Sequence, residues 1–379
     1  MSDNEKNNNI KNIHAVHSAK GGSGKSSFSF ALANFLCDEQ GIQFKSDDEL
    51  EKFKPFDEKN KNVLLFDADF KGTSFKSIFS KNIIKKHNAI YIEDVEKNTF
   101  DQLIFDKIFD LDNYIIKCIV QNIKEKNELS YKLINICFSS EKYSSKKRFY
   151  YSRNHDNSEQ LSVERFRDWF INLLNNISAV YDNKDEFKDL IFDLSPSSDE
   201  YTETMLDTFR TVSSGKSPKY NFYHYVVVTD DSAHINATVE YIYDLMSGSM
   251  RQEDNRKVLV VLNQTYNNEL FIEVNDIKNS KEEIDVVSQD VIKKIKMKLA
   301  SKLDEQTIKK IKFFYLPFNK GFFTYSRKST IFTSKDEKDN NSVNFAFPIN
   351  YLADNGNLDK INNSDELIKI IEGKGEHDG

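Results

Sequence analysis

The segment with the plainest chemistry is Lys20-Gly21-Gly22-Ser23-Gly24-Lys25-Ser26, which holds three of the chain's 12 glycines. Glycines let a backbone turn tightly and aim successive N–H groups at one centre. A helix starting at that point adds positive partial charge where phosphate oxygens would lie. Lys25 would reach β- and γ-phosphates, and the Ser26 hydroxyl would ligate Mg²⁺. Gly21, Gly22, Ser23, Gly24, Lys25, Ser26 and Ser27 are therefore the expected phosphate-binding residues, with a nucleoside triphosphate and Mg²⁺ as the implied ligands. Two apolar runs, Val63–Phe66 and Leu190–Phe192, end in carboxylates: Asp67 with Asp69, and Asp193. Carboxylates at buried strand ends beside a phosphate loop are suited to Mg²⁺, often held through water, and to positioning a water molecule. The plainer alternatives are a glycine turn that happens to carry lysine, and turn-forming aspartates.

A phosphate loop requires a strand before it and a helix after it. Ile13–His17 reads as that strand. Phe28, Ala31, Leu32, Phe35 and Leu36 recur at helical spacing between Ser26 and Cys37. Further strands are expected at Val63–Phe66, Tyr131–Phe138, Leu190–Phe192, Tyr225–Thr229, Val258–Asn263 and Phe313–Leu316, the last stopped by Pro317. Helices are expected over much of 75–128, at Val163–Val180, around Ala237–Met246, at Val286–Ile311 and at Asp365–Ile371. Near-continuous apolar strands alternating with helices predict an α/β fold: a doubly wound, mostly parallel sheet with helices on both faces. Ligands in such sheets bind at the carboxyl ends of the strands, where the glycine loop and the three aspartates fall.

The chain has 379 residues, 39% of them hydrophobic, enough for one large domain with insertions and too many for a disordered chain. Residues 1–11 read as a polar, disordered tail, 12–330 as the domain, and 331–379 as an extension ending in a short helix. Segments 39–61, 75–130 and 139–160 read as insertions. Three scattered cysteines form no CxxC, which argues against a disulfide scaffold, a zinc site or an iron–sulfur cluster. Seven dispersed histidines make no catalytic constellation and are expected on the surface or in the core. No signal peptide or membrane-length apolar run is visible, so a cytoplasmic protein is expected. The formal charge of −7 argues against wholesale coating of nucleic acid but allows a local basic patch.

One position departs from the general phosphate-loop pattern: Ala19 stands where a glycine is usual, and Lys20 precedes the glycine pair. The form KGGxGK[ST] resembles the ParA/MinD family of P-loop ATPases. That resemblance implies an ATP-sandwich homodimer in which Lys20 reaches the partner's nucleotide. It further implies that Asp69 orients the attacking water, that Asp67 supports the metal shell, that Asp193 holds a Mg²⁺-bound water, and that Asn263 pairs with the adenine edge. Phe70-Lys71-Gly72 departs from the family's usual Pro-Gln-Gly, with Ser74 following. Pro317 matches a family loop near the base. The resemblance runs from about residue 12 to about 320, with its specific motif at 20–26.

In such a family a third party reads the ATP-bound dimer. Nonspecific DNA is one candidate, through the lysine-rich stretch Lys293, Lys294, Lys296, Lys298, Lys302, Lys309, Lys310, Lys312. The loop Lys142, Lys146, Lys147, Arg148, Arg153 with Tyr143, Tyr150 and Tyr151 is a second basic surface. An activating protein partner is expected. Membrane binding is disfavoured, because the terminal helix Asp365–Glu372 bears acids. The competing reading is a nucleotide-dependent regulator or scaffold subunit of a larger machine without direct DNA binding. A metabolic P-loop ligase or synthetase is less consistent with Lys20.

Overall fold

The computed structural model describes residues 10–37, 63–70, 90–92, 98–103, 110–123, 129–139, 163–181, 187–197, 199–215, 218–247, 256–263, 280–316, 349–352 and 358–373. Its strands are β1 (Lys11–His17), β2 (Val63–Ala68), β3 (Ile90–Ile92), β4 (Ile115–Ile123), β5 (Leu129–Cys137), β6 (Asp189–Leu194), β7 (Tyr220–Val228), β8 (Lys257–Asn263), β9 (Lys312–Leu316), β10 (Ile349–Leu352) and β11 (Leu358–Ile361). They form one 11-stranded sheet in the order β11-β10-β9-β8-β7-β1-β6-β2-β5-β4-β3. The run from β9 to β5 is parallel throughout. Antiparallel strands close both edges.

The helices are α1 (Lys25–Leu36), α2 (Phe100–Leu103), α3 (Val163–Tyr181), α4 (Glu200–Val212), α5 (Ser232–Ser247), α6 (Ser280–Ala300), α7 (Glu305–Lys309) and α8 (Ser364–Glu372). Alternate side chains of each strand enter opposite cores, as the pleat dictates. On one face Val16, Val63, Leu65, Ile191 and Tyr225 pack with Phe28 and Leu32 of α1 and with Leu367 and Ile371 of α8. On the other, Ala15, Phe66, Phe192 and Phe222 meet Phe166 and Phe170 of α3 and Phe209 of α4. Val228, Val260 and Phe313 meet Ile242 of α5 and Ile295 of α6. The sheet is thus doubly wound, as the strand pattern predicts. After β1 the chain passes to β2; after β6 it passes to β7, on the other side of β1. The crevice between β1 and β6 is the switch point at which such sheets bind ligands.

Four expectations need correction. The described residues of the stretch 75–128 are not largely helical: they form β3, β4, the one-turn α2 and a 3₁₀ turn at Leu111–Asn113. Its apolar residues alternate rather than recur every third or fourth. Ile116, Cys118 and Val120 enter one core while β4 pairs along its whole length with β5. Phe313–Leu316 is not the last strand, since β10 and β11 follow and are too short to read from four residues each. The long helix expected over 286–311 divides, because the Asp304 carboxylate accepts from Thr307 N at 2.8 Å and starts α7 afresh. Lys11, placed in the disordered tail, opens β1 with its side chain buried.

Phe192 lies at the centre of this architecture, fully buried and stacked on Phe66 at 4.6 Å with Phe170 and Phe209 against it. Phe192→Ala should cost about 3–5 kcal/mol, read as a lowered urea midpoint.

Candidate functional site

Residues 18–24 connect β1 to α1. Gly22 and Gly24 adopt φ of 82° and 78°, the left-handed region that disfavours a side chain. At Gly24 a Cβ would also come within 1.9 Å of Asn263 Nδ2, so that side chain would have to move aside. That amide, at the end of β8, donates to the Ser23 carbonyl at 2.9 Å. Asn263 therefore braces the loop in this arrangement, a use of the side chain different from the expected adenine contact. Helix α1 starts without a side-chain cap and with no acid in its first turn. Its positive end is left for an anion, so the local geometry suits phosphate.

The register across the strands delivers the carboxylates. Val16 of β1, Asp193 of β6 and Asp67 of β2 are lateral neighbours at the carboxyl edge, with Asp69 just beyond. Lys25, on the first turn of α1, donates from Nζ to Asp193 Oδ1 at 3.0 Å and to Asp69 Oδ2 at 3.5 Å. Burial opposes its charge, but Asp193 and Asp69 outweigh that and hold its pKa above the ordinary lysine value. Burial raises the pKa of Asp193 against the opposing pull of Lys25 and the Ser26 hydroxyl. Asp67 Oδ2 accepts from both the backbone N–H and the hydroxyl of Ser139, at 3.1 and 2.8 Å. Lys20 is exposed, and among the described residues no carboxylate pairs with its ammonium.

The residues fit a metal–phosphate pair on two observations. One buried ammonium faces three carboxylates, Asp193, Asp69 and Asp67, leaving an excess of negative charge that suits a cation. Asp193 Oδ2 and Ser23 Oγ are also buried without a hydrogen-bond partner among the described residues, polar atoms that call for a ligand. Ser26, Asp193 and Asp67 are the residues able to hold Mg²⁺, directly or through water.

Three contributors to the site escaped the sequence reading. Ser29 donates to Asp193 Oδ1 at 2.9 Å; its signal is a polar residue one helical turn after Lys25, between Phe28 and Phe30. Ser139 follows β5 and holds Asp67. His17, read as one more dispersed histidine, is buried next to the loop and donates from Nε2 to the Ser197 carbonyl at 3.1 Å.

The basic surface is smaller than its lysine count suggests. Lys293 pairs with Asp290, Lys302 with Glu240 and Lys309 with Glu305, and Lys296 lies over the Phe313 ring. Lys294, Lys298 and Lys310 are exposed, whereas Lys312 lies in β9. The Lys142–Arg153 loop, Lys71, Gly72, Ser74 and Pro317 lie outside the described residues. In α8, Leu367 and Ile371 are committed to the core, so its apolar face is covered by the sheet. Among the described residues no helix is long and apolar enough to cross a membrane.

No protein-family model matches the sequence, and no curated protein matches it. Among solved structures, the chain is similar to the Pyrococcus furiosus cell division ATPase MinD, at 10% identity and a TM-score of 0.42, covering 89% of this chain and 96% of that one. It is similar to an ATP complex of Cyanothece McdA, at 10% identity and a TM-score of 0.43, covering 84% and 88%. A plasmid partition protein of Borrelia burgdorferi bound to AMPPNP aligns at 15% identity and a TM-score of 0.35, covering 71% and 84%.

Two outcomes follow from the geometry. Gly24→Ala should weaken ATP binding at least about tenfold by equilibrium titration, and adding Asn263→Ala should recover only part, because the clash goes and the backbone strain stays. Burial lowers the pKa of His17 from 6.5 to about 4, so the unfolded chain takes up the proton first and the folded state loses stability as pH falls from 6.5 towards 4. His17→Gln should remove up to roughly 3 kcal/mol of that acid-induced loss, measured from urea midpoints at pH 7 and pH 4.5.

Proposed function

We propose that this chain is a ParA/MinD-like ATPase that binds ATP with Mg²⁺, forms an ATP-sandwich homodimer, and hydrolyses ATP to position DNA or another cargo. The observation that carries the reading is the convergence of Lys25, Asp69 and Asp193 at the start of α1, beside a loop built to receive phosphate. A glycine turn of no function needs neither a buried ammonium nor three carboxylates around it.

Each residue then has a task. The N–H groups of Gly21–Ser27 and the start of α1 bind and orient the phosphates. Lys25 turns from its carboxylate partners to the β- and γ-phosphates, already charged. Ser26, Asp193 and Asp67 hold Mg²⁺, which when bound offsets charge on the phosphoryl oxygens. Asp69 orients the attacking water in line with the γ-phosphate. The exposed, unpaired Lys20 supplies positive charge to the nucleotide of a second copy, as an arginine finger does. Asn263 holds the loop through Ser23, and its remaining amide oxygen is available to a base. Turnover is slow until an activating protein binds.

DNA as the reader of the dimer rests on the Lys142–Arg153 loop and on Lys294, Lys298 and Lys310, which among the described residues have no acidic partner. The alternative, a nucleotide-dependent regulator or scaffold subunit without direct DNA binding, is favoured by the pairing of Lys293, Lys302 and Lys309 with acids.

Three substitutions separate the roles. Lys25→Ala should abolish ATP binding; its fold should survive because Asp193, with its raised pKa, can take up a proton. Lys20→Ala should keep ATP binding by the monomer and lose dimerisation or hydrolysis. Asp69→Ala should bind ATP and accumulate dimer without phosphate release. Light scattering with phosphate-release assays checks all three, and a normally dimerising, hydrolysing Lys20→Ala protein would refute the sandwich. ATP-dependent retention on DNA that declines across a salt series supports the DNA branch. No retention at low salt eliminates it.

A further inference from the structure

Among the described residues Ser197 is the one non-glycine with positive φ, at 63°. A residue with a Cβ keeps that conformation only where its surroundings impose it. Here both of its backbone groups are taken. Its N–H donates to the Ser18 carbonyl at 2.9 Å, and its carbonyl accepts from His17 Nε2 at 3.1 Å. Residues 17 and 18 are the end of β1 and the start of the phosphate loop. Next to this pair, Pro196 lies against Gly21, 3.9 Å from where a Cβ there would sit. The loop after β6 is thereby fastened to the phosphate loop.

The His17 ring is itself immobile. It is fully buried, with Tyr241 at 4.9 Å and His224 at 6.0 Å between ring centroids. Its Nδ1 has no hydrogen-bond partner among the described residues. A hydrocarbon side chain would fill the same space, so what the imidazole adds is one N–H, aimed at Ser197. Ser197 lies between two fixed points. Asp193, the proposed metal carboxylate, is held by Lys25 and Ser29. Asp199 caps α4, accepting from Tyr201 N and Thr202 N at 3.0 Å each.

We propose that His17 is a positioning residue of the nucleotide site: its Nε2–H holds Ser197 in the left-handed conformation and so keeps the loop after Asp193 latched to the phosphate loop. It acts through Ser197 and touches no substrate. The consequence for turnover rests on the ATPase reading; the latch does not.

The test combines two readouts on His17→Leu, His17→Gln and Ser197→Gly. Without nucleotide, amide hydrogen exchange of the peptide Leu194–Asp199 reports the Ser197 N–H. With ATP and Mg²⁺, kcat and ATP affinity are measured. His17→Leu should speed exchange and lower kcat by about tenfold each, the range of one lost hydrogen bond, with affinity nearly unchanged. His17→Gln, whose amide can donate from a similar place, should restore most of both. In the Ser197→Gly background the same His17→Leu change should cost less than about threefold, because glycine adopts positive φ unaided. If His17→Leu does not fold, His17→Phe keeps a ring between Tyr241 and His224 and carries the same comparison. Wild-type exchange in the donor-free variant overturns the latch. Unchanged kcat, or an equal loss in the glycine background, overturns the positioning role. A wild-type chain that releases no phosphate refutes the ATPase reading instead, and the exchange result still decides the latch.

Discussion

The Lys25 ammonium sits 3.0 Å from Asp193 and 3.5 Å from Asp69, almost wholly out of water. A charge in that position is tolerated because carboxylates surround it, and it in turn offsets their negative charge. The strands that bring them have almost no polar alternatives in their interiors. The register between β1, β6 and β2 sets Asp193 beside Asp67, and the turn of α1 sets Lys25 opposite both. Glycine loop, switch-point crevice and clustered carboxylates are thus consequences of one arrangement. Slipping β6 by a single residue would turn Asp193 to the far face, into the aromatic core around Phe170 and Phe209.

Strand β6 also carries an internal comparison. Asp189 and Asp193 are the same residue type on the same face of the same strand. Asp189 Oδ1 accepts from Asn12 at 2.8 Å and meets His14 Nε2 at 2.9 Å, and His14 Nδ1 in turn meets Tyr225 at 3.1 Å. That network joins neighbouring strands and is structural. Asp193 has one oxygen bonded by Lys25 and Ser29 and the other with no partner among the described residues. Polar satisfaction, more than residue type, separates the aspartate that holds the sheet from the one with an unsatisfied oxygen.

Much of this was legible in the sequence because the parallel strands are buried on both faces and read as apolar runs ending at polar residues. The phosphate loop, Asp67, Asp69 and Asp193 followed from those endings. Less visible were features that depend on contacts distant in sequence. Ile116, Cys118 and Val120 alternate, but amid charged neighbours the alternation passed for a helical face until β5 supplied its pairing. β10 and β11 are too short to carry a periodic signal. Asn263 could be placed at the strand end, yet its bond to Ser23 spans 240 residues and leaves no trace in local pattern. His17 was indistinguishable from any other histidine until Ser197, 180 residues on, was brought to its ring.

The most direct test of the composite site is phosphate release from an equal mixture of the Lys20→Ala and Asp69→Ala chains, each inactive alone. A mixed dimer has one site with its own Asp69 and a Lys20 from the other chain. Each mixed dimer has one such site of two, so the mixture should regain phosphate release, at about a quarter of the wild-type rate where the chains pair at random. A mixture that forms dimers and releases no phosphate would contradict the account, because Lys20 would then not act across the interface.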